Sequence, residues 1–125
     1  MKKIETNKAP GAIGPYSQGM ISGKLVFTSG QIALDPSTGA IAGETIEEQS
    51  EQALKNLQAV LEAGGASLST VVKTTCFLAD MGDFAAFNAV YARFFTGDCP
   101  ARSCVAVKTL PKNVLVEIEA TAEVR

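Results

Sequence analysis

The segment from Val114 to Val124 constrains this chain most. Val114, Val116, Ile118, Ala120, Ala122 and Val124 alternate there with Leu115, Glu117, Glu119, Thr121 and Glu123. A period of two sends successive side chains to opposite faces of an extended strand, so one face is apolar and the other mostly acidic. Such a strand belongs in a sheet whose apolar side is covered. Just upstream, Ser103, Val105 and Val107 alternate with Arg102, Cys104, Ala106 and Lys108. The local reading of Pro100–Ala120 is therefore two strands joined by a short Pro-containing turn. If the valine rows of both strands face one core, Arg102, Cys104, Glu117 and Glu119 share the opposite face. A cation, a thiol and carboxylates on one sheet face form a candidate site.

The rest of the chain supplies partners for these strands. Lys2–Thr6 reads as a short edge strand, and Asn7–Gln18 as a Gly/Pro loop that carries Ile13 and Tyr16. A loop holding an aromatic is either anchored on the core by it or forms the wall of a pocket. Gly19–Gly23 and Lys24–Gly30 form two strands around a tight Ser22-Gly23 turn. Gly30 ends the second strand, where glycine serves a turn or the close approach of another group. Thr45–Ala63 is the clearest helix. Thr45 with Glu48 forms a capping box, Gly64-Gly65 supplies the stop, and Ile46, Ala53, Leu54, Leu57, Val60 and Leu61 make one apolar stripe. Val71–Ala79 is apolar on both faces and so reads as a central strand, with Cys76 a small buried residue. Asp83 caps a second helix to about Phe95. Its aromatic stripe of Phe84, Phe87, Tyr91, Phe94 and Phe95 reads as core, with Asn88 at the edge in need of a polar partner.

This order gives a single α+β domain over residues 1–125, one mixed sheet with two helices on one face. Leu25, Phe27, Phe77 and Leu115 are too apolar for a fully wet second face, so the pattern implies packing against another copy.

Composition removes several functions. Histidine is absent, which removes the commonest general base and every Ser–His or Cys–His dyad. Acid–base work falls to carboxylates, Tyr, Lys or Cys. Three cysteines without close pairs, Cys76, Cys99 and Cys104, argue against a disulfide framework or a zinc site and suit a reducing cytoplasm. A net charge of −2 with no basic run gives nucleic acid no electrostatic footing. No apolar run reaches the ~20 residues of a membrane span, and MKKIETNKAP lacks the apolar core of a secretory signal. No metal or cofactor is called for.

AIGPYSQG (Ala12–Gly19), TSGQI (Thr28–Ile32), VVKTTCFLAD (Val71–Asp80), DFAAFNAVYARFF (Asp83–Phe95), PARSCV (Pro100–Val105) and VLVEIEA (Val114–Ala120) together carry a resemblance along essentially the whole chain. The sequence resembles the Rid family of reactive-intermediate deaminases, formerly called YjgF. It is most similar to the archetypal subgroup that hydrolyses 2-iminobutanoate and 2-iminopropanoate. The TGDC loop at Thr96–Cys99 is shorter than the family's longer versions.

The resemblance implies a chorismate-mutase-like fold, a trimer, and clefts between subunits. It also implies that the last strand inserts beside Lys24–Gly30 and Val71–Ala79, two strands from Arg102, with a neighbouring subunit supplying a missing partner. By motif position, Arg102 binds the substrate carboxylate and Glu117 handles water. Tyr16, Ser29, Gly30, Asn88 and Cys104 line the cleft; with no histidine to activate it, Cys104 reads as a wall rather than a nucleophile. The competing expectations are a non-catalytic sensor of small carboxylates, an endoribonuclease or translation inhibitor, and a holdase chaperone. For Arg102 the plain structural alternative is a salt bridge to Glu119 or Glu123; for Glu117 it is a solvated surface carboxylate.

Overall fold

The computed structural model describes residues 1–125. Six strands, β1 (Lys2–Ile4), β2 (Gly19–Ser22), β3 (Leu25–Thr28), β4 (Val71–Leu78), β5 (Ala101–Ala106) and β6 (Val116–Glu123), form one sheet in the order β1-β2-β3-β6-β4-β5. Only the β4–β5 pair is parallel, so the sheet is mixed. Helices α1 (Ile46–Ala63) and α2 (Phe84–Phe94) share one core with a single face of it.

α1 forms for the reasons its sequence states. Thr45 Oγ1 accepts from the Glu48 N–H at 3.1 Å, and the Glu48 carboxylate accepts from the Thr45 N–H at 3.1 Å. Gly65 then takes φ +82°, a conformation L side chains resist, and ends the helix. Its stripe of Ala53, Leu54, Leu57, Val60 and Leu61 is completely buried. Removal of each leucine from water contributes about 1.5–3 kcal/mol. The facing row of β6, Val116, Ile118, Ala120 and Ala122, is buried with it.

Three local expectations need correction. The β2–β3 turn is Gly23-Lys24, with Gly23 at φ +60°, one residue later than the sequence suggests. Asp83 occupies the N-cap of α2 without a side-chain bond; Asp80 instead accepts from the Gly82 N–H at 2.8 Å and starts a 3-10 turn ahead of the helix. The third concerns β5 and β6, which are not a hairpin. β6 lies between β3 and β4, and β5 pairs with the far side of β4. Pro111–Asn113 is a short 3-10 turn rather than a hairpin connection. Turn residues report a change of direction but not the next neighbour.

On the face away from the helices, Leu25, Phe27 and Val105 are 37%, 43% and 47% exposed. No helix covers this side.

Candidate active site

Adjacent residues in register point to the same side of a sheet, which fixes where the polar groups go. Arg102 pairs with Thr74 and Cys104 with Cys76; Thr74 and Cys76 pair in turn with Ala120 and Ile118. That row is the helix-facing one. Glu117 pairs with Phe77, in the alternate row that faces away from the helices. Arg102 and Cys104 therefore do not share a face with Glu117 and Glu119. The expectation failed because it assumed that both valine rows meet one core. Val116 does, whereas Val105 points out from the opposite face of an edge strand. Arg102 lies level with Ala120, three residues along and two strands over from Glu117. At ~3.3 Å per residue and ~4.8 Å per strand, the two backbones are about 14 Å apart.

Each face carries its own cluster. On the helix side, the Arg102 guanidinium lies 4.7 Å from the Tyr91 ring centre, 5.4 Å from Phe84 and 5.9 Å from Phe87. Its Nη1 donates to Asn88 Oδ1 at 2.8 Å. The aromatic stripe of α2 thus packs the core and also seats the cation. Tyr91 is fixed from behind by a 2.8 Å hydroxyl pair with Thr74. The chain's ion pairs are Lys3–Glu5 and Arg93–Glu51, so no carboxylate of its own occupies Arg102. A guanidinium has five N–H donors; all but one lack an acceptor here. Cys104 is half-buried beside it. Burial raises its thiol pKa, while Arg102 pulls the other way. Cys76, deeper in the same row, is pushed up to about 12 by burial. Neither sulfur is a ready thiolate.

On the other side, Glu117 sits at the wall of a cavity of about 320 Å³. Pro10, Gly11, Ile13, Tyr16, Gln18, Gly30, Gln31, Ile32, Leu34, Pro111 and Lys112 complete its lining. Burial, assisted by the nearby negative charge of Glu119, raises the Glu117 pKa above the ordinary value of 4.5. Tyr16 is 51% exposed and its hydroxyl accepts from the Ile13 N–H at 3.3 Å, so it forms part of the wall rather than an anchor in the core. Ser29 lies next to Gly30 in the adjoining groove, which shares Tyr16, and its hydroxyl donates to Ser17 O at 2.6 Å. The Ile32–Leu34 wall is pinned by the buried Asn56, whose Nδ2 donates to Ile32 O at 3.0 Å and to Leu34 O at 2.9 Å.

Gly30 is glycine for lack of space. A Cβ there would overlap the Glu117 carboxylate and lie 2.7 Å from its Cδ. Gly30→Ala is expected to push Glu117 off its position at a cost of about 1–3 kcal/mol. Activity should fall at least about 10-fold while far-UV circular dichroism stays unchanged. A Gly30→Ala protein with full activity would show that this carboxylate's placement is unimportant.

The structure thus collects Tyr16, Ser29, Gly30 and Glu117 on one side, and Asn88, Arg102 and Cys104 on the other. Sequence reasoning missed Gln18, Gln31, Asn56, Pro111 and Lys112. One signal was available for the last two: Asn113 is a residue type that tolerates left-handed backbone, and Lys112 and Asn113 both adopt φ 56° at the cavity's edge. No three His, Cys, Asp or Glu side chains gather into a ligand set for a metal.

The sequence profile described as Endoribonuclease L-PSP (Ribonuc_L-PSP) matches residues 6–124. The chain belongs to the Ribonuc_L-PSP (YjgF/Rid) family. This Rid chain is 52% identical over 124 residues to the 2-iminobutanoate/2-iminopropanoate deaminase of Salmonella typhimurium, which covers 97% of this chain and 96% of that one. The mouse protein of the same name is 48% identical over 121 residues, 97% of this chain and 90% of the relative. Among solved structures, E. coli TdcF with bound serine superposes with a TM-score of 0.96 at 47% identity, covering all of both chains. The chain shares the Rid architecture of one mixed sheet with two helices; some of its relatives bear the name of a deaminase, and others are called only a regulator or a RutC family protein. No helix is long and apolar enough to cross a membrane.

Proposed function

We propose that this Rid chain hydrolyses small 2-imino acids, 2-iminopropanoate and 2-iminobutanoate, to 2-keto acids and ammonia. We propose further that each site is assembled from two copies in a trimer, with Arg102 from one subunit and Glu117 from the next. One observation carries this reading. Arg102 is held on three aromatic rings with most of its donors unused, and Glu117, on the other face, makes no ion pair within the chain. They are complementary halves that one chain cannot close. The uncovered apolar face with Leu25, Phe27 and Val105 supplies surface on which copies can meet. A relative that binds serine is consistent with a site for a small carboxylate.

The chemistry follows from the two groups. The Arg102 fork grips the substrate carboxylate through paired N–H donors. Glu117, ionised, takes a proton from water as the oxygen attacks C2 of the iminium, giving a tetrahedral carbinolamine. It then returns the proton to the nitrogen; the C–N bond breaks as the carbinolamine O–H becomes the keto carbonyl and passes its proton to the departing ammonia, so that ammonium and a keto acid leave. Cys104, Asn88, Tyr16, Ser29 and Gly30 shape the walls.

The test is a coupled assay in which a threonine or serine dehydratase supplies the imine. Purified protein should accelerate keto-acid formation; no acceleration ends the proposal. An RNA substrate in parallel tests the endoribonuclease description of the family profile. A net charge of −2 and the absence of histidine predict no cleavage.

The raised Glu117 pKa sets a pH profile. The active form is the carboxylate, so kcat/KM should fall as pH drops, with a midpoint above 4.5 because burial and Glu119 both oppose the charge. Glu117→Gln should remove that acid limb. A wild-type profile flat down to pH 4.5 would remove Glu117 as the base.

A further inference from the structure

The Glu117 cavity has one wall that no ladder holds. β1 ends at Ile4. From Glu5 to Pro15 no backbone–backbone hydrogen bond ties the loop to the rest of the chain, the nearest being the local Tyr16 N–H to Gly14 O. Yet Pro10, Gly11, Ile13 and Tyr16 of this loop face the site. Unpaired buried backbone groups are costly and need partners.

One side chain at the loop's far root supplies them. Gln18 is only 4% exposed. Its Oε1 accepts from the Thr6 N–H at 2.8 Å. Its Nε2 donates to Thr6 O at 3.0 Å, to Pro10 O at 2.7 Å and, as a longer third contact, to Ala9 O at 3.3 Å. A carboxamide offers an acceptor and two N–H donors on one planar group, which this mix of one N–H and several carbonyls requires. The buried Ala9 holds the loop by packing as well.

We infer that Gln18 is a positioning residue for the site: it closes residues 6–18 into a fixed loop and thereby sets where Tyr16 and the Pro10–Ile13 wall stand relative to Glu117. This rests on the deaminase reading above, and it acts on substrate fit rather than on the proton transfer.

Two variants test it. Gln18→Met keeps the shape and removes every bond of the grip. Gln18→Glu keeps an acceptor for Thr6 but exchanges the amide donors for an oxygen that donates only when protonated. In Gln18→Met, exchange of the Thr6 amide, and of the Lys8, Ile13 and Tyr16 amides whose local bonds depend on the loop's shape, should rise about 10-fold or more, with the helices unaffected, because several hydrogen bonds worth a few-fold each are gone. KM for 2-iminobutanoate should rise about 10-fold with kcat changed much less. In Gln18→Glu, both readouts should stay near wild type at low pH and move to the Gln18→Met values as the carboxyl ionises against three carbonyls. Wild type and Gln18→Met carry only the Glu117 limb, so the additional Gln18→Glu transition is read as its ratio to wild type at each pH. Loop exchange at the wild-type rate in Gln18→Met would overturn the inference, as would fast exchange with an unchanged KM. A wild-type protein without deaminase activity would instead sink the functional reading, and the exchange arm would then decide the grip alone.

Discussion

Arg102→Ala is expected to lower kcat/KM for 2-iminobutanoate by about 10²–10⁴-fold, since it removes paired charge-assisted hydrogen bonds worth about 1.5–3 kcal/mol each. The side chain's own surroundings make it expendable for folding. It sits on the edge strand β5, is partly exposed, and has one hydrogen bond to Asn88. Its loss uncovers the rings of Phe84, Phe87 and Tyr91 without opening the core. The melting temperature should therefore fall by only a few degrees, while substrate saturation is lost. Arg102→Lys is the informative companion. It keeps the charge over the rings but not the planar fork, so less than about a tenth of the lost activity should return. If Arg102→Ala works within a factor of ten of the wild type, the carboxylate is held elsewhere and the proposed site is wrong.

The second large effect comes from Glu117→Gln, which keeps the shape and abolishes the base. Its kcat should drop about 10²–10⁴-fold with KM little changed. The two defective proteins can then be combined. In a ring whose sites each take Arg102 from one copy and Glu117 from the next, random mixing of equal amounts of Arg102→Ala and Glu117→Gln leaves about one site in four with both native groups. Co-refolding should restore roughly a quarter of wild-type turnover from two nearly dead parents. If both groups acted from one chain, every site in the mixture would lack one of them and nothing would return. Activity of the mixture against that of the parents thus reads the subunit origin of each half directly.

These experiments matter because the sequence was a poor guide at this one point. α1 was legible in detail, since its cap, its stripe and its stop are all local signals. The alternation of β6 was equally plain, and it correctly put Val116, Ile118, Ala120 and Ala122 on the core. What failed was the relation between β5 and β6. Adjacency within a sheet is decided by distant segments, here β4 coming between them, and only the family resemblance anticipated it. The facing of Arg102 failed for a related reason. Val105 was taken as a core residue, but on an edge strand an apolar side chain can face outward, and the long stem of an arginine can cover aromatic rings on the inner side. Gln18 escaped notice because a buried amide in a Gly/Pro loop looks like any solvated polar residue until its carbonyl partners are brought beside it.

The slot filled by β6 has a consequence for the chain's birth. Translation produces β1, β2 and β3 first, then β4 and β5, and each group is left with a raw border where Val116–Glu123 will later lie. Until that segment has been made, no strand joins the two borders, although α1 packs on both β3 and α2, and both borders offer open backbone to any passing strand. The nascent protein is therefore open to clumping for as long as β6 is unmade, because the sheet stays in two pieces until that strand enters the gap between them.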